Sequence, residues 1–357
     1  MLYHLLYPLA SDYGAFNVVR YITFRTAAAT LTALFLAFLL GPPLIRFLDR
    51  LRVGQPIREI GPDHKAKEGT PTMGGLLILI SLFVSVLLWS DFAGRAIWIV
   101  LAVTIGYGVL GFVDDYMKVR ERDSGGIRAR TKLFWQFAVA FIVAGLIYTD
   151  PHFDKELAVP FFKDFTPNLG IFYIPIAALV IVFFSNAVNL TDGLDGLAIG
   201  PVMIVAGTFL LLSYAAGHSG IAEYLAIKFV PGSEQLAIFC GALIGGGLGF
   251  LWFNTYPAQL FMGDVGALAL GGALGSIAVV IRQEALLFVV GGIFVVEAFS
   301  VMIQVGYFKL TGRRVFLMAP IHHHFEEMGW AEQKIVVRFW IVAIILALVA
   351  LSSLKLR

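Results

Sequence analysis

Long apolar runs and short polar interruptions alternate along the whole chain. A helix that crosses about 30 Å of hydrocarbon needs roughly 20 mostly apolar residues. Ten stretches approach that pattern: 22–43, 74–90, 96–113, 133–149, 171–186, 197–215, 236–253, 265–281, 286–306 and 335–354. The second is the shortest. The eighth is rich in glycine and the ninth carries polar residues, so breaks are most expected in those two. The pattern predicts an all-α polytopic membrane protein with about ten transmembrane helices. Residues 1–357 form one integral-membrane domain, with no soluble domain and no internal repeat. Gly241, Gly245 and Gly249 are spaced at four, as are Gly271 and Gly275. Small residues at that spacing let helix backbones approach closely.

Charge orients the spans. Most Lys and Arg fall in three segments, each following an odd-numbered span. The first holds Arg46, Arg50, Arg52, Arg58, Lys65 and Lys67. The second holds Lys118, Arg120, Arg122, Arg128, Arg130 and Lys132. The third holds Lys309, Arg313, Arg314, Lys334 and Arg338. Basic loops stay on the cytoplasmic side, so both termini are expected outside, in the periplasm. The segment 150–170, with Asp150, Asp154, Glu156 and Asp164 against two lysines, suits the outer face. Four polar clusters follow spans three, five, seven and nine: DDYMK (114–118), NAVNLTDGLDG (186–196), NTYPAQLFMGD (254–264) and PIHHHFE (320–326). All four then lie at the cytoplasmic face and define one candidate active site.

Composition agrees. Of 357 residues, 59% are hydrophobic and 14% charged, against about 45–50% and about 25% in soluble domains. The single cysteine, Cys240, excludes an internal disulfide and suggests no thiol chemistry. The N-terminal MLYHLLYPLASDYGAF lacks a basic n-region and a small-residue cleavage site, so no cleaved signal peptide is expected.

Each polar cluster has a simpler and a chemical account. A solvated helix end explains one aspartate, but Asp114 and Asp115 are adjacent and repel. Such a pair can divide its work between a divalent cation and a proton. Lys118 shares a helical face with both if the span continues as a helix. A capped turn needs one Asx residue, whereas 186–196 offers Asn186, Asn189, Thr191, Asp192 and Asp195, a surplus that suits a polyhydroxy or heterocyclic ligand or a metal. The Walker-type Lys followed by Ser or Thr is missing there. Asp264 reads equally as a cap of the eighth span or as a third carboxylate for Mg²⁺. His322, His323 and His324 are consecutive and do not share a helix face, which disfavours zinc. With Arg313 and Arg314 nearby they fit an anion-binding loop better. Glu297, Ser300 and Gln304 form one polar stripe in the ninth span, a packing device or a site lining. A Mg²⁺-dependent phosphoryl-group transfer onto a lipid phosphate meets these terms.

DDYMK, NLTDGLDGLA, FMGDVGALALGG, PIHHHFEEMGW and KEGTPTMGG (67–75) together resemble the polyprenyl-phosphate N-acetylhexosamine-1-phosphate transferases. The likeness covers nearly the whole chain and is strongest for the branch that takes UDP-N-acetylmuramoyl-pentapeptide. HHHFE separates that branch from relatives using N-acetylglucosamine. The resemblance implies transfer of phospho-N-acetylmuramoyl-pentapeptide to undecaprenyl phosphate, giving lipid I and UMP, with Mg²⁺ as cofactor. It implies a homodimer in the bacterial cytoplasmic (inner) membrane and no nucleic-acid partner. By resemblance, Asp264 and Asp115 bind metal, Asp114 deprotonates or orients the lipid phosphate, and Lys118 and His322 assist catalysis. Asn189, Asp192, Asp195, Asn254 and Phe261 contact the nucleotide, Phe261 by stacking on uracil. His323 lies near the diphosphate. Lys67, Thr72 and Gln304 complete the substrate side. Direct attack is favoured over a phospho-aspartate. The alternatives are a sister transferase using UDP-N-acetylglucosamine and a transporter or flippase. The latter calls for a polar site at mid-membrane and inverted repeats. A structural scaffold leaves the aspartate pair unexplained.

Overall fold

A computed structural model of the chain describes residues 2–51, 69–121, 125–150, 155–162 and 165–354. Lys67 lies outside the described residues. The helices are α1 (Leu2–Leu6), α2 (Ile22–Arg50), α3 (Gly75–Trp89), α4 (Arg95–Glu121), α5 (Ala129–Tyr148), α6 (Tyr173–Thr191), α7 (Ile199–Ala216), α8 (Ser219–Leu225), α9 (Gln235–Asn254), α10 (Gly263–Val280), α11 (Glu284–Val290), α12 (Gly292–Thr311), α13 (Ile321–Glu327) and α14 (Glu332–Ser353). Among the described residues there is no strand, only a lone antiparallel bridge between Glu156 and Asn168. Nine of these helices are long and apolar enough to cross a membrane. The remaining expected span, the second, is α3, whose 15 residues reach only about 22 Å.

The ninth expected span, 286–306, is not one helix. The chain breaks at Gly291 between α11 and α12, and α12 then runs on to Thr311. A Cβ on Gly291 would stand 2.8 Å from the Phe184 ring of α6, so a residue without a side chain fits at the break beside that ring. The glycine-rich eighth stretch, by contrast, is the unbroken α10. Its residues Val265–Val280 are all buried, between α4 on one side and α6 on the other. Small side chains make this possible. Gly271 and Gly275 sit against the α6 backbone at Phe184 and Ile181, and Gly111 of α4 sits against the Asp264 carbonyl. Likewise Gly241, Gly245 and Gly249 of α9 lie against Thr26, Thr30 and Ala37 of α2. Lipid is as apolar as leucine, so close van der Waals contact and interhelical hydrogen bonds hold such a bundle together.

A buried polar ladder supplies the hydrogen bonds. Tyr107 of α4 donates to the Gln136 carbonyl of α5 at 2.8 Å. Gln136 donates to Ser185 of α6 at 3.2 Å, and Ser185 donates to the Leu268 carbonyl of α10 at 3.0 Å. Asn186 closes the set by donating to Gln136 Oε1 at 2.9 Å. At the end of the bundle remote from Asp264, buried Arg25 donates to Gln235 Oε1 at 3.1 Å and to the Trp89 carbonyl at 3.2 Å. At that same end Tyr173 donates to the buried Glu284 carboxylate.

Candidate active site

The 27 residues of α4 span about 40 Å, more than the hydrocarbon thickness. The helix therefore continues past the expected span end at 113, and Asp114, Asp115 and Lys118 share a face. Lys118 Nζ lies 2.6 Å from Asp114 Oδ2 and 3.6 Å from Asp115 Oδ1. It lies 3.1 Å from Asp264 Oδ2, which α10 brings in from its first turn. One oxygen from each of Asp114, Asp115 and Asp264 lies within 4.8 Å of the others. Asp114 and Asp115 are buried. Hard carboxylate oxygens at this separation suit a small divalent cation.

The cluster is hydrogen-bonded on all sides. Asn189 Nδ2 donates to Asp264 Oδ1 at 3.1 Å. The Val265 N–H donates to Asp115 Oδ2 at 3.1 Å, and the Ile127 N–H donates to Asp114 Oδ1 at 2.8 Å. A second lysine closes it: Lys132, in the first turn of α5, lies 2.5 Å from Asp264 Oδ2 and 3.3 Å from Asp114 Oδ2. Spacing had placed Lys132 only among the basic residues of a loop. Nothing local distinguishes it from its five neighbours in charge, and only the fold of α5 against α4 brings it in.

Asp192, just beyond α6, accepts from the Gly263 N–H, and its carboxyl is pushed up to about 8. Burial is the main cause, followed by the negative charges of Asp264 and Asp115. Gly263 adopts φ +71°, and a Cβ there would stand 2.5 Å from Asp115 Oδ2 and 2.9 Å from the Thr72 hydroxyl. Thr72 thus lies beside the carboxylates, its hydroxyl buried without a hydrogen-bond partner among the described residues. The segment around it is stitched to the start of α10. Phe261 N–H donates to the Pro71 carbonyl, and the Gly74 and Gly75 N–H groups donate to the Phe261 and Met262 carbonyls, each at 2.8 Å. These bonds fix the Phe261 backbone, while its ring stays only partly buried.

Asp264 does not cap α10, and neither Asp192 nor Asp195 caps α7. The N-caps of α7 and α10 are Ala198 and Met262, without a side-chain cap bond. Asp195 instead accepts from the Ala258 N–H at 3.0 Å. Asn254 accepts from the Gly196 N–H at 2.9 Å and donates to the Leu260 carbonyl at 2.8 Å. Asp195 and Asn254 therefore pin the turn after α6 to the loop before α10. The histidine run forms the short helix α13 rather than a loop, with the His322 and His323 rings 4.1 Å apart but turned to different partners. His322 is fully buried, with Nδ1 3.1 Å from Glu297 Oε2 and Nε2 packed on Gly193. That places it against the turn that follows Asp192. His323 Nδ1 lies 2.6 Å from Glu326, and His324 accepts from the Leu317 N–H. Gln304 receives the Val315 and Phe316 N–H groups and donates to the Phe316 carbonyl. The polar stripe of α12 thus faces α13 and the segment before it.

Comparison with known proteins is decisive. A family model for glycosyl transferase family 4 matches residues 97–282, and phospho-N-acetylmuramoyl-pentapeptide-transferase signature 1 matches 67–79. Phospho-N-acetylmuramoyl-pentapeptide-transferases of Geobacter sp. (strain M21) and Pelobacter propionicus are 59% and 58% identical over 100% of both chains. That of Syntrophus aciditrophicus is 56% identical over the same extent. The chain belongs to the phospho-N-acetylmuramoyl-pentapeptide-transferase family. It is a membrane-spanning glycosyl-1-phosphate transferase. The family's signature covers Thr72 and Gly75, the segment stitched to α10, and the broader match runs from α4 through α10, the helices that carry every carboxylate of the cluster.

Proposed function

We propose that this protein transfers phospho-N-acetylmuramoyl-pentapeptide from its UDP conjugate to undecaprenyl phosphate, releasing UMP and forming lipid I. It does so as a homodimer at the cytoplasmic face of the bacterial inner membrane. The observation that carries the reading is the three-carboxylate, two-lysine cluster at helix ends, where a water-borne donor and a lipid acceptor can meet. The basic segments beside it favour the cytoplasmic side.

An oxygen of the acceptor phosphate attacks the phosphorus attached to the sugar, and the bond from that phosphorus to the UMP oxygen breaks. Asp114 orients the acceptor phosphate and takes its proton if it arrives protonated. Lys118 and Lys132 neutralise charge that builds on the phosphoryl oxygens. Asp115 and Asp264 are the residues that would hold Mg²⁺, whose chemistry there is to neutralise the diphosphate and stabilise the leaving UMP. Asn189 holds Asp264 in place. Asp192, Asp195, Asn254 and Phe261 shape the nucleotide side, with Phe261 as the ring for uracil. Lys67, Thr72, His322, His323 and Gln304 complete the donor side.

The test is UMP release by purified protein given undecaprenyl phosphate, Mg²⁺ and one donor at a time. Release with UDP-N-acetylmuramoyl-pentapeptide alone is expected. Release with UDP-N-acetylglucosamine alone would move the protein to the sister branch. Silence with both from a folded sample would return the transporter reading.

A further inference from the structure

Helix α5 lies at the edge of the bundle, against α6 and α4. Many of its side chains face outward, Leu133, Phe134 and Trp135 among them. Its buried residues are Gln136, Ala140, Val143, Ala144 and Ile147. The apolar members of that set lie toward the end remote from the carboxylates. Gln136 is the buried residue nearest Lys132 and the one polar member. Its amide uses both ends on α6: Nε2 donates to Ser185 Oγ at 3.2 Å, and Oε1 accepts from Asn186 Nδ2 at 2.9 Å.

These contacts form a layer one helical turn beneath the carboxylate cluster. Gln136 follows Lys132 by four residues, and Ser185 precedes Asn189 by four. Leu268, whose carbonyl accepts from Ser185 at 3.0 Å, follows Asp264 by four. Four residues of helix rise about 6 Å. In the layer above, Lys118 and Lys132 share their partners. They lie 3.1 and 2.5 Å from Asp264 Oδ2, and 2.6 and 3.3 Å from Asp114 Oδ2. Two ammonium groups on the same oxygens repel. Lys132 sits in the first turn of α5, so the repulsion acts to tilt the start of that helix away from the bundle. Gly271 and Gly275 lock α10 to α6 independently. Without the Gln136 bonds, α5 is therefore the helix that moves.

We infer that Gln136 is a positioning residue for the transfer: its amide clamps the start of α5 to α6 and so keeps the Lys132 ammonium on Asp264 and Asp114 against repulsion from Lys118. This rests on the role given to Lys132 above. Gln136→Met fills a similar volume and leaves its neighbours hydrogen-bonded, because Ser185 still donates to the Leu268 carbonyl and Asn186 to the Val182 carbonyl at 2.8 Å. In Gln136→Met, kcat for UMP release falls about tenfold, while the KM for the UDP donor and for undecaprenyl phosphate moves less than about twofold. Added to Lys132→Met, the same change lowers kcat by less than about a further twofold, the non-additivity of a residue that acts through another. Tyr107→Phe removes a bond to the Gln136 carbonyl and leaves the amide in place. It lowers Tm but keeps kcat within about twofold. A normal kcat in folded Gln136→Met overturns the inference. So does a fall that recurs in full in the Lys132→Met background, or one that Tyr107→Phe shares. Should Gln136→Met fail to fold, Asn186→Leu, which removes the Oε1 partner and leaves Ser185, takes its place, with a fall of about threefold expected and the same outcomes overturning it. The two readings fail differently: a normal kcat in Lys132→Met removes the role of Lys132, whereas slow Lys132→Met beside normal Gln136→Met removes only the clamp.

Discussion

Lys132 and Lys118 place two ammonium groups among three carboxylates, and each member of that cluster depends on the others. Removing Lys132 leaves Asp264 and Asp114 with one counter-charge fewer in a mostly enclosed site. In Lys132→Met, kcat for UMP release should fall about 100-fold, with donor binding by calorimetry largely retained. A normal kcat would reduce Lys132 to a structural counter-ion. Asp192 carries a pH signature. Its folded-state carboxyl titrates at about 8, above the ordinary value near 3.9, so the folded protein keeps a proton that the unfolded chain has released. The stabilisation from that proton is complete below about pH 4, declines as pH rises, and is gone above about 8. Metal-free native protein should therefore lose thermal stability from pH 5 to 8 relative to Asp192→Asn, with parallel curves above that. Equal slopes throughout would show that Asp192 is ionised in the fold.

At the scale of helices, glycine spacing carried more than any propensity. Gly275 faces α6, where a Cβ would stand 2.8 Å from the Ile181 Cα, whereas Gly145 of α5 has nothing among the described residues within 4 Å of the same position. Gly275→Val should thus cost about 1–3 kcal/mol through overpacking, read as a lowered Tm in detergent. Gly145→Ala should be neutral or slightly stabilising. Equal effects at both sites would mean that α10 does not pack as described. The positions of the apolar runs were legible because lipid demands long apolar helices. The carboxylates were legible because charge beside an apolar run needs a reason. What could not be read locally was contact between distant segments. Lys132 was one basic residue among six, and the pairing of His322 with Glu297 joins two helices. The break at Gly291 depends on the approach of Phe184. The surplus of polar groups in 186–196 was visible, but its division of labour was not. Asn189 turns to Asp264, while Asp195, together with Asn254, ties loop to loop.

Across the whole molecule, α4, α5, α6 and α10 converge on one set of acidic oxygens, so any cation bound there would be linked to folding. A cation bound only by the folded protein stabilises it by about 2.7 kcal/mol at 100 times its Kd. Mg²⁺ should raise the Tm of the native protein, and EDTA should abolish UMP release until Mg²⁺ is restored. Asp115→Asn combined with Asp264→Asn should eliminate the shift, because the remaining carboxylate, Asp114, is already paired with Lys118 at 2.6 Å. The lysines sharpen the test. Lys132 Nζ stands 2.5 Å from Asp264 Oδ2, where it competes with any cation that Asp264 would bind. Lys132→Met should therefore bind Mg²⁺ more tightly than the native protein while turning over more slowly, so that the Tm shift grows as kcat falls. A structural ion held elsewhere would leave the shift independent of Lys132. A Mg²⁺ shift that persists in the Asp115→Asn and Asp264→Asn double variant would place the metal outside this cluster.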